Sequence, residues 1–239
     1  MSGHSKWSTI KRKKGAIDAE RSKVFQKLAK ELYVAAKSGD KDPANNSALR
    51  MVIEKAKSEN MPKSNIQSAI DKAHSKNNSE NYDQVRYEGY GPAGIAIMID
   101  CLTDNKNRTA SFVRSTLTKK GGNLGTDGSV SYLFSRKGII ILDKSYDENK
   151  LTEDVLQLDI LDMQTTDEGY EIIMEPNSFI KVKDSLDALG YNNCLLSEVT
   201  FIADNYMKLE GETLDKALSL ISDLEDIDDV QNVYHNLDI

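Results

Sequence analysis

The polar stretch Ser75-Lys76-Asn77-Asn78-Ser79 divides two hydrophobic patterns of different period, and that change restricts the chain to a mixed α and β fold. Before it, apolar residues recur every three or four positions. Val24, Phe25, Leu28, Ala29, Leu32, Ala35 and Ala36 share one stripe of a helix that Gly39 ends. Asp42-Pro43 has the cap-then-proline order that opens a second helix, with Leu49, Val52, Ile53 and Ala56 inward. Met61-Pro62 interrupts the chain before a third. There Ser64 and Gln67 have capping-box spacing, and Ile66, Ala69, Ile70 and Ala73 form the buried face. Three amphipathic helices of this kind read as a small bundle.

After the break the grammar is that of strands. Residues 85–90 and 94–103 read as strands around a Gly91-Pro92 turn. Residues 107–119 read as a helix with Ala110, Val113, Arg114 and Leu117 on one side. A loop over 121–128 then leads to a strand over 130–134. From Lys137 the order is strand 138–142, helix 148–158, strands 160–165 and 170–175, helix 177–189 and strand 193–201. That βαββαβ order is the ferredoxin-like split βαβ motif. The tail (strand 206–209, helix 213–224, strand 230–234) has no core of its own, so it is expected to return to the sheet of 85–134. The expected class is α+β with three domains. These are a basic arm and helical bundle over 1–80, a discontinuous domain of 81–135 and 205–239, and an inserted ferredoxin-like domain over 136–204.

Charge is segregated along the chain. Residues 1–76 hold 17 basic and 8 acidic side chains, net +9, whereas residues 77–239 carry a net −16. The cations concentrate in KWSTIKRKKGAIDAERSKVFQKLAK, residues 6–30. There Lys6, Lys11, Arg12, Lys13, Lys14, Arg21, Lys23, Lys27 and Lys30 accompany the only tryptophan, Trp7. Residues 1–18 lack periodicity and read as a mobile arm. Nine cations on an arm and a helix face suit polyphosphate, bound with strong salt dependence and little sequence preference. Trp7 is suited to stack on an unpaired base. A solubilising tail and a solvated helix face are the plainer alternative.

Other motifs are weaker. Asn65, Gln67, Ser68 and Lys72 lie off the third helix's buried stripe, but Pro62 stands where a helix-turn-helix glycine would be. The loop Gly121-Gly122-Asn123-Leu124-Gly125 suits an anion cradle; a turn needing positive φ explains it better on spacing alone. Asn107 and Thr109 are candidate helix caps. His4, His74 and His235 have no metal spacing, and Cys101 and Cys194 no CxxC pattern, so no metal or cofactor is expected and the thiols read as buried and free. The acids Asp223, Glu225, Asp226, Asp228 and Asp229 read as a solvated turn. No apolar run approaches the ~18 residues of a membrane span, and cytoplasm is the expected location.

The segments GHSKW at Gly3, IKRKKGAIDAERSKVFQKL at Ile10, NMPKSNIQSAI at Asn60, RYEGYGPAGIAIMI at Arg86, CLTDNKNRT at Cys101, GGNLGTDGSVSYLF at Gly121 and DDVQNVYHN at Asp228 together resemble the YebC/PmpR family. Its mitochondrial relatives include the translational activator of cytochrome c oxidase. The resemblance implies three domains, the third ferredoxin-like and inserted in the second. Members are described as DNA-binding transcriptional regulators and as ribosome-associated factors that relieve stalling. The resemblance also marks Asn105, Arg108, Gly122 and Asn123 as a contact surface. The arm's Lys-Arg-Lys-Lys stands where relatives often carry a histidine. The expected function is therefore a non-enzymatic, nucleic-acid-binding regulator. Its partner is ribosomal RNA or the ribosome in the first reading and double-stranded DNA in the alternative. The acidic domains would be free to meet basic proteins.

Overall fold

The structure is a computed structural model that describes residues 18–75 and 80–238. In chain order it begins with helices α1 (Asp18–Lys37), α2 (Ser47–Ser58) and α3 (Lys63–Ala73). Next come β1 (Asp83–Tyr90), β2 (Ala96–Thr103), α4 (Lys106–Lys119), β3 (Asn123–Leu124) and β4 (Phe134–Asp143). They are followed by α5 (Glu148–Val155), β5 (Asp162–Thr165), β6 (Gly169–Met174), α6 (Phe179–Ala188) and β7 (Cys194–Ala203). The chain closes with β8 (Met207–Lys208), α7 (Gly211–Glu225), β9 (Val230–His235) and β10 (Leu237–Asp238). By compactness the described residues form two units. One gathers 32–75 and 136–201, the other 18–31, 80–135 and 202–238. Helix α1 is thus divided between them.

In the first unit the end of α1 buries Leu32, Tyr33, Ala35 and Ala36, α2 buries Leu49 and Ala56, and α3 buries Ile66, Ala69 and Ile70. Val52 and Ile53 are only partly buried. The second helix opens at Asn46 and not at Asp42-Pro43. Those residues form a turn held by Asn45 N–H on Asp42 O (3.0 Å) and Ala44 N–H on the Asp42 carboxylate (2.9 Å). The Asn46 side chain caps Leu49 N–H at 3.0 Å and donates to the carbonyls of Ala35 and Asp40, both at 2.9 Å. It joins α1, the turn and α2 through one buried amide. Asn60 ends α2 in the left-handed region (φ 57°), with Met61 N–H on Ala56 O and Asn60 N–H on Lys57 O, so the break at Met61-Pro62 is a Schellman turn. The capping box expected at Ser64 does not form. Pro62 occupies the cap position, and Ser64 lies inside the helix, where its carbonyl accepts from Ser68 Oγ at 2.7 Å.

The sheet of this unit has the order β5-β6-β4-β7, which a split βαβ produces, with β6 antiparallel to both β4 and β5. Helices α5 and α6 cover one face: Leu151, Val155, Phe179, Val182 and Leu186 pack with Ile140, Leu142, Ile172 and Met174. Each such full burial is worth about 1.5–3 kcal/mol against exposure. Ile139, Ile141, Ile173 and Leu196 on the other face are buried as well. Met51 of α2 packs on the sheet-and-helix core, and Arg50 pairs with Asp184 at 2.8 Å and Lys183 with Glu54 at 3.8 Å. These contacts join the helical stretch to the sheet in one unit.

In the second unit the sheet order is β3-β1-β2-β9. Residues of β1 and β2 pair antiparallel from Asp83 opposite Thr103 to Tyr90 opposite Ala96. Strand β9 pairs with β2 on the other side, from Ile97 opposite His235 to Cys101 opposite Val230. The chain therefore leaves this sheet before β4 and returns to it in its tail. Helices α4 and α7 cover one face: Val113, Leu117, Ala217, Leu220 and Leu224 meet Ile95, Ile97, Ile99 and Cys101. The inward stripe of α4 is Thr109, Val113 and Leu117; Arg114, expected beside them, is exposed. Residues 130–134 are not a strand. Ser131–Leu133 is a single 3-10 turn, and β4 begins at Phe134.

Replacing Asn46 by Ala removes a helix cap and two long-range hydrogen bonds at a buried position. The expected loss is about 2 kcal/mol, read as a melting temperature lower by about 4–8 °C in circular dichroism.

Candidate nucleic-acid interface

Lys6, Trp7, Lys11, Arg12, Lys13 and Lys14 lie outside the described residues. The other four members of the expected interface stand on α1. Arg21 is exposed, its guanidinium 5.6 Å from the centre of the Phe25 ring. Lys23, Lys27 and Lys30 all reach the end of α7 and the turn that follows it. Lys23 Nζ lies 2.9 Å from an Asp226 carboxylate oxygen, and Lys27 Nζ donates to Glu225 O at 2.5 Å. Lys30 Nζ donates to Asp228 O at 3.0 Å and stands 3.9 Å from Asp229 Oδ1. The acidic turn is therefore a docking surface for α1, not merely solvated. Exposed carbonyls at the end of α7 add the negative end of its dipole.

Asp229 is the buried member of that turn, 6% exposed. Its Oδ2 accepts from Arg108 Nη2 at 2.7 Å, Thr109 Oγ1 at 2.8 Å and Thr103 Oγ1 at 3.2 Å. Burial works to raise this carboxyl, but the bonds from Arg108, Thr109 and Thr103 outweigh it and hold the group below its ordinary value. Arg108 also pairs with Asp104 at 2.8 Å. Its charge is shared between two carboxylates. Asn105 is the N-cap of α4, its side chain accepting from Arg108 N–H at 3.1 Å. The cap is Asn105 and neither Asn107 nor Thr109; the Thr109 hydroxyl turns inward to Asp229.

The glycine loop directs its amides inward. Gly121 (φ 80°) is the left-handed residue that ends α4, its N–H on Thr118 O. Gly122 N–H donates to Leu117 O at 2.8 Å, and a Cβ there would collide with Tyr90 O. Gly125 N–H donates to Glu88 O at 2.7 Å. Asn123 and Leu124 pair with Tyr90 and Gly89 of β1, while Asn123 itself is exposed. With the amides of Gly121, Gly122 and Gly125 engaged, this loop is built as a turn. Those three glycine amides are not open to an anion.

Glu88 escaped the reading of the sequence. It is 6% exposed, and its carboxylate accepts from Gly128 N at 2.9 Å, Val130 N at 2.7 Å and Ser131 N at 2.8 Å. These bonds pull residues 128–131 out of any ladder, which is why the expected strand is a turn. Burial again acts to raise the carboxyl, and the N–H groups of Val130, Gly128 and Ser131 bring it below its usual value. Local sequence gives no signal of it, since the strand also carries Asp83, Gln84 and Arg86. Among the described residues no three His, Cys, Asp or Glu side chains group as a metal site. Cys101 is buried and in no disulfide, its thiol pushed up to about 12 by burial and then by Asp100 and Asp229; Cys194 is half-buried and likewise in no disulfide. No described helix is long and apolar enough to cross a membrane.

The depressed Glu88 carboxyl fixes a sign. Its folded value lies below the unfolded one, near 4.5, so its stabilisation is complete above that pH and disappears as pH falls through the folded value. Glu88→Gln is expected to cost about 1–3 kcal/mol at neutral pH and to flatten the acid limb of a urea-unfolding pH series. An unchanged acid limb contradicts the assignment.

Residues 5–76 match the model of the TACO1/YebC protein N-terminal domain, and residues 82–237 match TACO1/YebC second and third domain. A "Probable transcriptional regulatory protein" of Geobacillus kaustophilus is 54% identical over 241 residues, covering 100% of this chain and 98% of its own length. One from Geobacter sulfurreducens is 48% identical over 239 residues, covering 100% of this chain and 96% of its own length. The crystal structure of a conserved hypothetical protein from Aquifex aeolicus superposes with a TM-score of 0.84 at 41% identity, over 98% of this chain and 96% of that one. The chain belongs to the TACO1/YebC family, the one its motifs resemble under the name YebC/PmpR.

Proposed function

We propose that this chain is a non-enzymatic, cytoplasmic regulator of gene expression that acts by binding nucleic acid, in the first place DNA in the control of transcription. The names of its relatives support the transcriptional reading. The observation that carries nucleic-acid binding is the segregation of charge, net +9 over residues 1–76 against −16 over the rest. Because Lys23, Lys27 and Lys30 are engaged by residues 225–229, the grip on phosphate is assigned to Lys6, Lys11, Arg12, Lys13 and Lys14. Trp7, within the same stretch of sequence, and the exposed Arg21 are assigned to the same interface. The acidic body suits basic protein partners. We also propose that residues 1–80, the pair 81–135 with 205–239, and 136–204 work as three functional modules.

A second reading, ribosomal RNA as the target, has one specific observation in its favour. Two of the outward polar side chains of α3 are tied along their own helix, Gln67 Nε2 to Asp71 at 2.9 Å and Ser68 Oγ to Ser64 O at 2.7 Å. That arrangement suits backbone and shape contact better than base readout.

The test compares two glutamine variants on random duplex DNA and on ribosomes across a salt series. Changing Lys6, Lys11, Arg12, Lys13 and Lys14 is expected to flatten the dependence of log affinity on log salt by about 4. Changing Lys23, Lys27 and Lys30 is expected to leave that slope nearly intact and instead lower stability by about 1–2 kcal/mol. The reverse pattern contradicts the assignment. Saturable binding to ribosomes without binding to duplex DNA would favour the second reading.

A further inference from the structure

Helix α4 and the loop after it differ in charge from the body around them. Residues 105–126 contain no Asp or Glu and five cations, inside the portion of the chain that is net −16. Three of those cations are engaged. Lys106 pairs with Asp83 at 3.3 Å, Arg108 with Asp229 at 2.7 Å, and Lys120 with Asp223 at 3.0 Å. Arg114 and Lys119 are exposed and pair with no acid among the described residues. The buried stripe of α4 is Thr109, Val113 and Leu117. Helical periodicity sets Ser111, Ser115 and Thr118 opposite that stripe, with Phe112 and Lys119 on one flank and Arg114 on the other, and all are exposed. Phe112 is 52% exposed, a large apolar ring among hydroxyls and cations with no carboxylate on that side.

We propose that the solvent face of α4 binds single-stranded RNA, with Phe112 stacked on an unpaired base and Arg114 and Lys119 on its phosphates. The surface rests on the nucleic-acid reading above and adds a second contact to the arm. Cations alone suit any polyanion. The exposed ring selects a strand whose bases are not already stacked in a duplex. Ser111 and Ser115 supply donors and acceptors for phosphate oxygens and for the 2′-hydroxyl, the group that distinguishes RNA from DNA, while the Thr118 hydroxyl donates to Arg114 O at 2.9 Å and is left as an acceptor. Charge complementarity and the ring therefore point to the same ligand.

The test uses the full chain and fluorescence anisotropy. The probes are a labelled oligouridylate of about 12 nucleotides, the matching oligothymidylate, and a random duplex. Phe112→Ala is expected to weaken oligouridylate binding about tenfold, and Phe112→Trp to restore it. The double variant Arg114→Gln, Lys119→Gln is expected to flatten the salt slope by about 1 to 1.5. Both changes sit on exposed positions, and circular dichroism checks that the variants keep the fold. Oligouridylate binding that is intact in the parent and unchanged in both variants overturns this surface and leaves the arm standing. Equal affinity for oligothymidylate overturns the choice of RNA. Equal competition by polyglutamate, an anion without bases, overturns the stacking role. No binding of the parent chain to any probe overturns the nucleic-acid reading itself.

Discussion

One buried carboxylate, Asp229, holds the second unit together. Its side chain gathers the end of β2 through Thr103, the start of α4 through Thr109 and Arg108, and helix α1 through Lys30. Its carbonyl accepts from Leu102 N–H at 2.9 Å, which fixes the turn between α7 and β9 against the sheet. Burying a charge is costly unless it is paired and hydrogen-bonded, and here the carboxylate meets a guanidinium, two hydroxyls and an ammonium. The position of Arg108, and with it the opening of α4, follows from that one anion.

The same logic governs the rest of the charged surface. The acidic turn after α7 and the end of its dipole take up Lys23, Lys27 and Lys30 of α1, so a helix that is cationic in sequence is partly neutralised in the fold. Glu88 does for the loop 128–131 what Asp229 does for α4: main-chain N–H groups converge on a buried anion and fix a segment that has no ladder of its own. Arg114 and Lys119 are among the described cations that pair with no such internal acid.

Which features the sequence revealed depended on the range of the interaction behind each. The stripes of α1 and α3, the βαββαβ order and the return of the tail to β2 are written in local periodicity and in the need to bury apolar faces. Asn46 was overlooked because Asp42-Pro43 resembles a helix start locally, whereas the true cap is chosen by the carbonyl of Ala35 in the preceding helix. Arg114 was expected inward by spacing; the hydroxyl of Thr109 has the buried acid to meet and takes that side. Glu88 is invisible locally, since its donors lie about forty residues further along. Pairing of the α1 lysines with a turn some 200 residues away was signalled only by charge complementarity, and the acids there read as solvated. For the candidate site, residue types were legible and their commitments were not.

The central claim is that residues 225–229 occupy Lys23, Lys27 and Lys30 of α1, so a polynucleotide binds elsewhere. Hydrogen–deuterium exchange of the full chain with and without saturating oligouridylate tests this most directly. The account predicts slowed exchange in peptides covering residues 6–14 and 106–119, with peptides 18–31 and 225–229 unchanged. Protection or exposure confined to 18–31 and 225–229 would contradict it, because that would put the ligand on the lysines the acidic turn already holds.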